Sequence, residues 1–178
     1  MSFKEFKPTI FFLLKFLGLY LAGNILYGLF INAYHPKPDP VTHSISAQTA
    51  FVISACGWPV TTFDHNDTPT TSIVFQHKGV LAVYEGCNGV NTIIIFLAFI
   101  VAFGPVGKSL VWFGLAGCFI IHLMNLLRIT LLFFVSEQLP QFMYFTHKYL
   151  FTAFLYGVIF LLWIVWVKYF ARKPVREH

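Results

Sequence analysis

Four stretches of this chain are apolar enough to lie in a bilayer, and their charges gather at their ends. That pattern limits the fold more than any other feature. The first stretch, Thr9 to Ile31, carries Lys15 as its one charge. Lys4 and Lys7 precede it, and the prolines at 36, 38 and 40 close it. The others run from Cys87 to Phe103, Ser109 to Val135 and Tyr149 to Val167. A bilayer core about 30 Å thick calls for about 20 helical residues. The second stretch reaches only about 25 Å at ~1.5 Å per residue, and the third is long enough to cross with tilt. The first run is too long for a signal peptide, contains Lys15 and lacks a small-residue cleavage site.

Composition agrees with lipid as the main solvent: 57% of residues are hydrophobic and 11% charged, against about 25% charged in a soluble domain. The net charge of +5 does not point to nucleic acid, because no basic stripe with interleaved aromatics exists. The expected fold is therefore an all-α integral membrane protein with four transmembrane helices. Residues 1–178 form one membrane domain, with spans at about 9–31, 87–103, 109–135 and 149–167. Lys4, Lys7, Lys108, Lys168, Arg172, Lys173 and Arg176 fall on one side, against Lys37, Lys78 and Lys148 on the other. This bias places both termini in the cytoplasm, with Trp163 and Trp166 in an interfacial belt near the last span's end.

Residues 32–86 are then extracytoplasmic and form a small helix and β-hairpin insertion between the first two spans. Ser44 to Ala55 reads as an amphipathic helix on the membrane surface, with Ser44 as a cap. Ser72 to Gln76 and Val80 to Tyr84 read as a hairpin around His77-Lys78-Gly79. A lone hairpin is marginal in water, so it is expected to pack on the helix bundle.

Topology brings three reactive side chains to one depth. Arg128 lies about 28 Å along its helix from Ser109, near the outer boundary where Cys87 begins one span and His147 precedes another. An arginine in an apolar run costs about 2.5–3.5 kcal/mol at mid-span and usually faces a polar interior. His122 and Asn125 share its helix face, and Cys118 extends the stripe; for Cys118 and His122 the reading is packing and interhelical hydrogen bonding. Cys87 sits in Glu85-Gly86-Cys87-Asn88-Gly89. With a helix starting at about Asn88, the helix dipole favours its thiolate. A structural disulfide to Cys56 is an equal alternative. His147 gains weight from sharing a boundary with a thiol that needs a base. The outer histidines 35, 43, 65 and 77 lack metal-ligand spacing, and no cofactor or metal is expected.

The order Cys87-Asn88-Gly89, then Asn125-Leu126-Leu127-Arg128, then His147 resembles the exosortase and archaeosortase family. Within it, the chain is similar to the short exosortase F type of Bacteroidota over about Ser72 to Val167. The resemblance implies a membrane-embedded cysteine transpeptidase or protease in the bacterial inner membrane, with its site facing the periplasm. Its substrates would be exported proteins with a C-terminal motif, a transmembrane helix and a basic tail, passed to an unknown acceptor. Cys87 would be the nucleophile, with Arg128 and His147 as its catalytic partners and Asn125 in support. Two other readings stay open: an envelope binding or assembly protein with a structural Cys56–Cys87 bond, and a small transporter using His122, Asn125 and Arg128.

Overall fold

The computed structural model describes residues 3–170. Arg172, Lys173 and Arg176, used above to orient the chain, lie outside them, as does the side chain of Lys4. Helix α1 (Phe3–Asn32) is followed by α2 (Pro40–Ala55), three strands, and helices α3 (Val90–Phe103), α4 (Lys108–Gln138) and α5 (Pro140–Phe170). Helix α5 opens with a 3-10 turn, carries a π-helical turn at Thr146–Leu150, and ends in another at Trp166–Phe170.

Three helices are long and apolar enough to span a bilayer: Phe6–Asn32, Lys108–Gln138 and Pro140–Phe170, with mean hydropathies of 1.8, 2.1 and 2.4. In hydrocarbon a helix satisfies all its backbone groups internally, which is why these runs take that form. Val90–Phe103 is as apolar but has only 14 residues, about 21 Å of helix. The expected second span loses its first three residues to a turn. Gly89 has φ +85°, which a right-handed helix does not accept, and Asn88 Oδ1 accepts the Val90 N–H at 3.1 Å.

Residues 32–86 differ in detail from their expectation. Helix α2 is capped by Asp39, not Ser44. The Asp39 carboxylate accepts the N–H groups of Val41 and Thr42 at 2.9 and 3.1 Å, and Pro40 takes the first helical position, where its missing N–H is harmless. The sheet has three antiparallel strands rather than two, in the order β1 (Val60–Asp64), β2 (Thr70–Phe75), β3 (Lys78–Tyr84). The hairpin turns at Gln76 and His77, one position earlier than expected. Both have positive φ, 49° and 65°, the twist that a two-residue hairpin loop needs.

The core has two parts. In the outer one, Ile45 and Ile53 of α2, Ile73 and Val83 of the sheet, and Leu126, Ile129 and Phe133 of α4 enclose Cys87. In the inner one, Phe96 and Ile100 of α3 meet Leu110 and Ile121 of α4 and Ile159 and Trp166 of α5. Gly117 lets α4 approach the Phe96 ring, which leaves no room for a Cβ there. Helix α1 joins from outside, with Phe12 and Phe16 against Phe99. Lys15 Nζ donates to the Val101 carbonyl at 2.8 Å, one of the last-turn carbonyls of α3 that lack a partner within the helix. The tryptophans depart from the belt expectation: Trp166 is fully buried against the Gly104 turn, and Trp163 stacks on Phe99 with centroids 4.3 Å apart. These flat rings fill space beside the short α3.

Candidate active site

The turn from β3 into α3 carries Cys87. Its N–H donates to the Tyr84 carbonyl at 2.8 Å, and the Tyr84 ring lies over Gly86, where an added Cβ would displace it. The thiol is 6% exposed. Helix α3 is capped by Gly89, so Cys87 stands before the helix rather than in its first turn. The dipole effect expected from the sequence is weaker at that remove.

Cys87 Sγ lies 3.6 Å from Nε2 of His147. The π-helical turn of α5 holds that imidazole, and Thr152 Oγ1 donates to its backbone carbonyl at 3.2 Å. The pair stands within the looser range seen for a thiol and its base without substrate. Among the described residues Nδ1 of His147 has no protein partner. The ring lines an open groove with Leu81, Ala82, Met143, Tyr144 and Lys148. The Tyr84 phenol has a raised pKa, first from charge on Cys87 and then from burial. It therefore stays a neutral hydroxyl beside the sulfur.

Asn125 is fully buried. Its Nδ2 donates to the Cys87 carbonyl at 3.0 Å, and its Oδ1 accepts from Arg128 at 3.4 Å. Arg128 is 7% exposed, and its Nε–H is buried without a partner. The structure thus brings Cys87 and His147 into direct contact. Arg128 joins them through Asn125, and among the described residues it makes no hydrogen bond to either. His122 instead bonds Gln48 of α2 at 2.9 Å, and Cys118 packs beside the inner core. All three cysteines are free, with Cys56 exposed. His43 pairs with Asp64 at 2.7 Å and His65 with Ser72 at 2.9 Å.

Sequence reasoning assigned no role to a polar cluster behind the Cys87 turn. Asn88 Nδ2 donates to the Tyr27 hydroxyl of α1 and to Thr42 Oγ1 of α2, the latter at 3.0 Å. The Thr42 hydroxyl donates to Asp39 Oδ2. The Asp39-Pro40 pair is a helix-start signal that would have placed Asp39 and Thr42 correctly. Nothing local links either to Asn88, 46 residues from Thr42.

No curated protein and no solved structure matches the chain. The sequence model described as transmembrane exosortase matches residues 7–169, from the start of α1 to the end of α5 and through every residue of the site. Over that extent the match decides the assignment: the chain belongs to the transmembrane exosortase family.

Proposed function

We propose that this protein is a membrane-embedded cysteine transpeptidase that cuts C-terminal sorting signals of exported proteins. The single observation that carries the reading is the 3.6 Å contact between Cys87 Sγ and His147 Nε2 in a chain of this family. The thiol gives its proton to His147, and the sulfur attacks the scissile carbonyl. The C–N bond breaks as the imidazolium returns that proton to the leaving amine, which leaves a thioester on Cys87. An acceptor amine, or water, then attacks the thioester, His147 takes its proton, and the thiol is regenerated. Arg128 stabilises the oxyanion or fixes the substrate backbone. Its buried, unpartnered Nε–H supports that role, since a carbonyl or oxyanion would satisfy it. Asn125 supports both by holding the Cys87 carbonyl and the Arg128 guanidinium.

In this reading α3 is a fourth, short crossing. Both termini are cytoplasmic in the bacterial inner membrane, and the Cys87 turn faces the periplasm. The substrate's own apolar helix lies beside the bundle with its basic tail inside, which brings its cleavage motif to the depth of Cys87. The test follows cleavage of an exported protein with such a C-terminal helix, encoded beside this gene, at matched membrane levels. Cys87→Ala is expected to leave the precursor whole, while Cys56→Ala cuts it normally. Cleavage by Cys87→Ala would overturn the mechanism.

A further inference from the structure

We infer that Asn88 is a positioning residue whose side-chain amide, held by Thr42 and Tyr27, sets where the Cys87 thiol stands relative to His147. The inference rests on reading Cys87 as the nucleophile. The amide is 3% exposed, and its three hydrogen bonds reach three different elements. Both Nδ2 hydrogens are used, on Tyr27 of α1 and Thr42 of α2, and Oδ1 accepts from Val90 at the start of α3.

The polarity of this cluster runs one way. The Thr42 hydroxyl has a single proton and gives it to Asp39, so toward Asn88 it offers only a lone pair. Asp39 is 2% exposed and also accepts two backbone N–H groups, which hold it in place. An amide therefore fits at position 88 and a carboxylate does not. Asp at that position would keep the acceptor for Val90 but face Thr42 Oγ1 with no proton between them.

The neighbouring Cys87 is then fixed from two directions. Asn125 holds its carbonyl from α4, and Asn88, the next residue, is tied to α1 and α2. His147 comes from α5, with no third group on its Nδ1 among the described residues. The thiol's side of that contact thus depends on how firmly the Cys87 turn is anchored. A misplacement of about 1 Å at a reacting atom lowers turnover by up to about a hundredfold.

Two measurements on the full chain in membranes test this: amide hydrogen exchange at Cys87, and cleavage of the precursor named above. The variants are Thr42→Val, Thr42→Ser and Asn88→Asp, with membrane levels matched. In Thr42→Val and Asn88→Asp the Cys87 amide is expected to exchange about tenfold faster and cleavage to fall by about tenfold or more. Thr42→Ser keeps the hydroxyl and should behave as wild type in both. A purely structural role for Thr42 in capping α2 predicts faster exchange confined to residues 40–55, and that result overturns the inference. So does faster exchange at Cys87 with undiminished cleavage. If the wild-type chain leaves the precursor uncut, the transpeptidase reading fails instead. Exchange at Cys87 then decides the anchor alone: faster supports it, unchanged overturns it.

Discussion

Asn125 serves a donor and an acceptor at once, and only an amide does both in that space. Asn125→Asp would set a carboxylate oxygen against the Cys87 carbonyl that Nδ2 now holds at 3.0 Å. A buried carbonyl left unsatisfied costs about 1–3 kcal/mol, so this variant should unfold at lower temperature in a thermal scan and lose cleavage. Arg128→Lys keeps the charge but not the planar fork that reaches Asn125 and, in the proposed role, a substrate oxygen. Its cleavage rate is expected to fall by about 10²–10³, as when an oxyanion donor is removed; a normal rate would exclude the assigned role. At this scale the sequence offered coincidence of depth. It marked Cys87, Arg128 and His147 because topology brings them to one boundary. It could not say that Cys87 touches a histidine 60 residues away while Arg128 stops at Asn125. Those distances depend on helix rotation, and apolarity carries no angular information when a helix is greasy on every side.

The π-helical turn at Thr146–Leu150 matters at the scale of elements, because it amounts to one residue inserted into an otherwise α-helical segment. Deleting Tyr149 would let that turn relax to α-geometry and rotate His147 by about 100° against the rest of α5. Helix α5 should still insert, while alkylation of Cys87 and cleavage both lose their dependence on His147; unchanged cleavage would show that the turn does not aim the ring. Helix packing is equally specific at Gly117, where the Phe96 ring sits against the backbone of α4. Gly117→Val is expected to cost about 1–3 kcal/mol by overpacking, read as earlier loss of structure in detergent. The long helices were legible because sustained apolarity and bounding charges survive any packing arrangement. Strand β1 was not, although Val60-Thr61-Thr62 is β-branched, because it follows Gly57-Trp58-Pro59 and shows no clean alternation. Trp166 was assigned to an interfacial belt and is buried instead: tryptophan beside a basic cluster suits an interface as well as a core, and only the shortness of α3 decides between them.

Across the whole molecule, an outer core shared by α2, the sheet and α4 sits above an inner core shared by α3, α4 and α5. The Cys87 turn lies at the junction, and Cys87 itself belongs to the outer core. Helix α3, which hangs from that turn, has 14 residues. At about 21 Å it falls short of a typical hydrocarbon core by roughly 9 Å. In the proposed topology, where α3 is a fourth crossing, lipids beside it compress, and the deformation grows with acyl-chain length. Reconstituted into vesicles of short-chain phosphatidylcholine, the enzyme should work faster than in long-chain vesicles of the same headgroup. Equal rates across the series would mean that α3 is shielded from lipid by its neighbours. Membrane thickness would thereby act on this chain as a control variable, through strain on the helix that follows the Cys87 turn.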